Sequence, residues 1–158
     1  EEKAKLERWR DHFKEILNRP QPQTLPNITE AEKDLDINLN NITVWEVKEA
    51  ISKLKNGKAP GDDGICPEML KAEDQVTPRI LRDIFQEIWD SETIPDDWKT
   101  GLIVKIPKKG NLQNCNNWRG ITLLSLTCKV FSRIILRRIS AAVDAILRTA
   151  HAPTIYLY

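Results

Sequence analysis

Only two stretches of this 158-residue chain read as β-strands, Leu102–Ile106 and Ile121–Leu124, both short and rich in branched apolar side chains. The longer apolar patterns recur at the spacing of a helix. A chain so patterned can form one hairpin among helices and little other sheet. The expected class is α+β and mostly helical. The loop between the two runs, Lys108 to Trp118, exceeds the roughly two to five residues usual in hairpins, which marks it as functional or mobile.

The helices follow from periodicity and caps. Lys3–Asn18 sets Leu6, Trp9, Phe13, Ile16 and Leu17 on one side. The three prolines of Arg19–Asn27 (RPQPQTLPN) end that helix and read as a linker. Thr29 with Glu32 offers a weak capping box, and Thr43 with Glu46 a better one. The second opens a helix with Val44, Val47, Ile51 and Leu54 on one stripe, stopped by Asn56-Gly57. In Lys58–Leu70 (KAPGDDGICPEML), Pro60-Gly61 and Asp63-Gly64 are turn dipeptides whose glycines permit positive φ. Pro67 and Pro78 suit the first turns of two more helices, the second with Leu81, Ile84, Phe85 and Ile88 inward. Ile94–Trp98 reads as an irregular corner. From Leu126 a long helix carries Val130, Ile134, Ile139, Val143 and Leu147 inward, flanked by Phe131 and Ile135. Its other face carries Arg133, Arg137 and Arg138. No internal repeat is visible.

Composition narrows the function. Apolar content of 41% and charged content of 30% suit a globular chain with a real core. No apolar run approaches a bilayer-crossing length, and EEKAKLERWRDHF has no signal-peptide character. The expected setting is intracellular, nucleus or cytoplasm, not secreted and not membrane-bound. Cys66, Cys115 and Cys128 are too scattered for a disulfide framework or a metal site. No phosphate-binding glycine loop, His-Glu-x-x-His or Cys-x-x-Cys is present. His12 and His151 stand alone and read as incidental. Asp62-Asp63 and Asp96-Asp97 sit beside Gly or Pro, so turn-forming and capping roles outweigh a metal role.

Charge is distributed unevenly. From Gly101 onward Lys105, Lys108, Lys109, Arg119, Lys129, Arg133, Arg137, Arg138 and Arg148 face a single acid, Asp144, a balance of +8. The first hundred residues carry −7. Such polarity fits a polyanionic partner, or a solvated basic face. If the two apolar runs pair, Lys108, Lys109 and Arg119 come close together. An ammonium and a guanidinium there could clamp a phosphate, with Gly110 and Gly120 allowing close backbone approach. A solvated basic hairpin over a packed Trp118 is the plainer alternative.

Three ordered motifs carry a family resemblance: KAPGDDGI, then IPDDWKTGLIVKIPKKGN, then NNWRGITLLSLTCKVFSRIILRRI. Together they resemble the reverse transcriptases of non-LTR (LINE-type) retrotransposons, over about Leu6 to Arg148. ERWRDHFKEILNRP resembles the segment joining endonuclease to polymerase in such elements. The resemblance implies a fingers-type subdomain of an RNA-directed DNA polymerase with one hairpin between helices. Residues 1–41 would be the connector, 42–148 a partial fingers region and 149–158 a divergent tail. Lys108 and Arg119 inherit contacts to the incoming triphosphate, with Lys109 and Lys105 as weaker neighbours. Arg133, Arg137 and Arg138 would meet a nucleic-acid backbone, and Pro60, Gly61, Asp63, Gly64, Trp98, Trp118 and Gly120 would be motif positions of structural weight. The family often has proline where this chain has Asp62, and Arg-Pro-Ile where it reads Arg119-Gly120-Ile121. Implied partners are RNA template, DNA primer and deoxynucleoside triphosphates, with self-association or a protein partner possible through exposed apolar helix faces. The palm motif, with its metal-binding aspartates, has no match among these residues. No cofactor is therefore expected in this chain, Mg²⁺ belonging to the full-length enzymes, and the chain by itself is not expected to polymerise.

Overall fold

In the computed structural model, which describes residues 2–18, 20–24, 27, 30 and 33–150 apart from the side chains of residues 145 and 148–150, the better capping box is formed. The Thr43 hydroxyl accepts the Glu46 N–H at 3.2 Å, and the Glu46 carboxylate accepts the Thr43 N–H at 2.9 Å. Thr29 with Glu32, and the tail 151–158, lie outside the described residues. Two units divide the chain: Glu1–Glu32 with Ile103–Thr122, and Lys33–Leu102 with Leu123–Tyr158.

The larger unit is helical. Its elements are α2 (Val44–Ser52), α3 (Pro67–Ala72), α4 (Thr77–Ser91), α5 (Asp96–Lys99) and α6 (Leu126–Ala150). Helix α2 packs on α4 and α6. Val47, Phe85 and Val130, one from each, are 0% exposed. An aromatic triangle closes one end of this core. Phe85, Trp98 and Phe131 have ring centroids 5.3–6.0 Å apart.

Local chemistry explains the differences from the expected elements. Helix α2 ends at Ser52, before Asn56-Gly57, because Leu54 N–H turns back to Ile51 O and the Gly57 N–H is taken by the Glu68 carboxylate at 2.7 Å. Ile94–Trp98 contains a helical turn rather than an irregular corner. Pro95 precedes it, and Asp96 and Asp97 occupy its positive end. Ile84 and Ile139 are exposed, so the inward stripes are narrower than periodicity suggested. In α6 the buried positions are Leu126, Val130, Ile134 and, four further on, Arg138.

The smaller unit joins α1 (Glu2–Leu17) to the hairpin of β1 (Leu102–Pro107) and β2 (Trp118–Leu123). Strand β2 begins three residues before the branched run and stops at Leu123, not Leu124. The Lys108 N–H donates to Asn117 O at 2.7 Å, closing the ladder next to Trp118. Backbone pairing therefore draws Trp118-Arg119-Gly120 into the strand despite their lack of branched side chains. On α1, Trp9, His12 and Phe13 form the covered patch, while Leu6, Ile16 and Leu17 stay exposed. No described helix is long and apolar enough to cross a membrane.

Candidate functional site

The hairpin loop, residues 108–117, is held by its own polar groups. Asn111 Oδ1 accepts the Gln113 N–H at 2.9 Å, and Asn114 Oδ1 accepts the Asn116 N–H at 3.0 Å, each side chain bonding its backbone two residues on. The Asn117 amide donates to Asn111 O at 2.8 Å and the Trp118 indole N–H to Leu112 O at 3.0 Å. Gly110 takes φ +112°, a conformation that favours glycine. A short 3₁₀ turn, Cys115–Asn117, leads into β2. Loop length alone marked it as functional or mobile; the asparagines bond its backbone internally. Their two-residue spacing was the signal that could have shown this.

The structure gives the expected site cations different surroundings. Lys105 Nζ lies 4.5 Å from the centroid of the Trp9 ring and 5.4 Å from that of Trp118, on the sheet face covered by α1. Strand alternation puts Arg119 on the opposite face from Trp118 and Gly120. Lys108 Nζ donates to Asn116 O at 3.1 Å. The Lys109 and Arg119 side chains are exposed and make no side-chain hydrogen bond or ion pair among the described residues. Gly120 is exposed, but the direction its side chain would take is filled. A Cβ placed there would lie 2.6 Å from Phe13 Cε1 and 3.2 Å from Ile103 Cγ2.

Arg133, Arg137 and Arg138 of α6 divide as well. Arg133 is exposed. Arg137 pairs with Glu49 and lies over the Trp45 ring, 4.5 Å from its centroid. Arg138 is 6% exposed, and all five of its N–H donors are used inside the protein. Nε and Nη2 grip Glu46 at 2.8 and 2.9 Å. Nη1 donates to Asn38 O and Asn40 O, and Nη2 also to Asn41 O, at 2.7–3.2 Å. Trp89 lies against the guanidinium, 5.3 Å from centroid to Cζ. A phosphate finds no free donor there, so the expected backbone contact at Arg138 gives way to an internal anchor. Burial alone would push the Glu46 carboxyl up. Hydrogen bonds from Arg138 and Thr43, with the Arg138 charge, outweigh it and hold the pKa at about 2 against an ordinary 4.5.

The turn motif before α3 is structural in its contacts. Gly64, at φ +67°, donates its N–H to Gly61 O at 3.2 Å, and Asp63 Oδ1 accepts the Ile65 N–H at 3.1 Å. Gly61 serves close approach rather than positive φ: a Cβ there would lie 2.8 Å from the Leu124–Ser125 backbone. Pro60 is half-buried beside it. Trp98 completes the aromatic triangle and Trp118 the loop. Among the described residues no three His, Cys, Asp or Glu side chains converge to hold a metal.

No family model matches the chain. Curated relatives do. A probable RNA-directed DNA polymerase from transposon X-element of Drosophila melanogaster is 31% identical over 140 residues, 82% of this chain and 15% of the relative. That from transposon BS of the same species is 30% identical, over 82% of this chain and 14% of the relative. The RNA-directed DNA polymerase from mobile element jockey of Drosophila melanogaster is 29% identical, over 73% of this chain and 13% of the relative. The chain spans about 15% of the length of the curated relatives it matches, and within that span it belongs to the family of non-LTR retrotransposon RNA-directed DNA polymerases.

Proposed function

We propose that the chain is the connector helix and fingers region of such a polymerase, residues 1–41 and 42–148, with 149–158 a divergent tail. Its hairpin faces the incoming nucleotide. Lys108, Lys109 and Arg119 supply charge toward the triphosphate, Arg133 meets the template–primer backbone, and the metal-binding carboxylates of nucleotidyl transfer come from residues not in this sequence. Lys105, committed to the rings of Trp9 and Trp118, Arg137, paired with Glu49, and Arg138, committed to Glu46, are left out of that set. The observation that carries the reading is the pair of uncommitted cations, Lys109 and Arg119, flanking a loop that is otherwise internally bonded.

The test is binding to a primer–template RNA–DNA hybrid across a salt series, beside a Lys108→Ala/Arg119→Ala variant. Affinity should fall steeply with salt and the variant should bind more weakly, because phosphate contacts dominate such binding. Equal binding by both proteins, or none at low salt, ends the reading. A second reading, a non-catalytic protein-binding module, is favoured by a largely apolar groove of about 510 Å³ lined by Leu39, Ile88, Trp89, Ile94, Phe131 and Ile135 with Glu92 among them. Tight, salt-insensitive binding to a protein would favour that alternative.

A further inference from the structure

We infer that α1 is a brace for the hairpin loop, and that Arg8 and Phe13 are positioning residues for the anion site, an inference that rests on the nucleotide-facing role of that loop. Two consecutive loop carbonyls are held from the α1 side. Arg8 Nη2 donates to Gln113 O at 3.0 Å, 105 residues away in sequence. The Trp118 indole N–H donates to Leu112 O, and its ring meets Trp9 edge-on at 5.4 Å between centroids. Phe13 stacks beside Trp9, and its ring fills the space where residue 120 would carry a Cβ.

Gly120 is therefore the socket for the helix. A side chain there displaces Phe13, and with it the Trp9–Trp118 contact that aims the indole at the loop. Lys108 and Lys109 begin this loop, and Arg119 follows Trp118 directly, so the brace sets where those charges stand. A segment that reads as a mere connector thereby acts on ligand binding without touching ligand.

Intrinsic preference and packing make opposite forecasts at position 120, which makes the idea testable. Alanine is better than glycine in a strand interior, so propensity forecasts an unchanged or tighter hairpin for Gly120→Ala. The brace forecasts a looser one, with no loosening beyond that of Phe13→Ala once that change has emptied the socket. Amide hydrogen exchange over 111–118 and equilibrium binding of inorganic tripolyphosphate would be measured on the whole chain for wild type, Arg8→Ala, Arg8→Lys, Gly120→Ala, Phe13→Ala and Gly120→Ala/Phe13→Ala.

Arg8→Ala, a surface change, should speed loop exchange about tenfold, the loss expected for one charge-assisted hydrogen bond, and weaken tripolyphosphate binding in parallel. Arg8→Lys should restore part of both. The double variant should be no looser than Phe13→Ala alone. Unchanged exchange in Arg8→Ala, or additive effects of the two socket changes, overturns the brace. Faster exchange with undiminished tripolyphosphate affinity overturns the positioning role. Wild-type protein that binds no tripolyphosphate, with the exchange pattern as expected, supports the brace and overturns the nucleotide-facing reading instead.

Discussion

Arg138 shows how much one side chain can decide. A guanidinium with all five donors engaged, 4% exposed in its side chain and sandwiched against Trp89, gains nothing from water and depends on Glu46 for its charge balance. Removing it leaves the half-buried Glu46 carboxylate with only its Thr43 bonds and takes the guanidinium donors from three carbonyls. Arg138→Ala should cost about 3–5 kcal/mol in a urea melt, the usual cost of breaking one side of a buried pair. Arg133→Ala on the same helix should stay within about 0.5 kcal/mol, as exposed substitutions do. The pH dependence follows from the sign of the Glu46 shift. The folded-state pKa, about 2, lies below the ordinary 4.5, so the stability it contributes is fully present above about 4.5 and lost as pH falls toward 2. Glu46→Gln should narrow the gap to wild type across that window, checked by urea midpoints at stepped pH. A constant gap would show that the carboxylate charge carries no weight.

Elements in this protein are placed by contacts that single glycines permit. The turn before α3 is pressed against the chain entering α6, where Gly61 meets the backbone of Leu124 and Ser125. Backbone cannot rotate away as a side chain can, so Gly61→Ala should destabilise by about 1–3 kcal/mol, the range for forced overpacking. Gly57→Ala lacks that clash, with nothing within 4 Å of its Cβ position, and its cost comes only from φ +67°. Thermal melts of the two variants separate the mechanisms: equal losses would mean that close approach at Gly61 is relieved by local movement. The Ser125 hydroxyl, 3.4 Å from the Cys128 N–H and 2.7 Å from the Thr127 hydroxyl, then starts α6 from the same tight corner.

At the scale of the whole chain, charge by count and charge by availability differ. Nine cations follow Gly101, but Arg138 is consumed internally, Arg137 is paired with Glu49, and Lys105 rests on two indole rings. Lys108, Lys109, Arg119 and Arg133 remain the best placed for phosphates. Nucleic-acid binding should therefore show a salt slope near −3 on a log–log plot, at about 0.7–0.9 per phosphate neutralised, rather than the roughly −7 of nine contacts. Titrations between low and moderate salt would decide it. A slope near −7 would mean that the buried and paired arginines are released on binding.

The sequence by itself determined what depends on neighbours a few residues apart. The helices of Leu81, Phe85 and Ile88 or Val130 and Ile134, the Thr43–Glu46 capping box, the prolines at helix starts and the Asp63-Gly64 turn are all local patterns. So was the family resemblance, carried by ordered motifs. Only the tertiary structure decided which side of each element is inside and what each polar group meets. Arg138 falls with the other arginines by composition, yet its partner Glu46 lies 92 residues away. Lys105 reads as a weaker neighbour of the phosphate-facing cations until folding sets it against the rings of Trp9 and Trp118. Gly120 reads as freedom for a ligand until Phe13 fills the space. Periodicity and capping are encoded over a few residues; desolvation and steric exclusion depend on segments that only folding brings together.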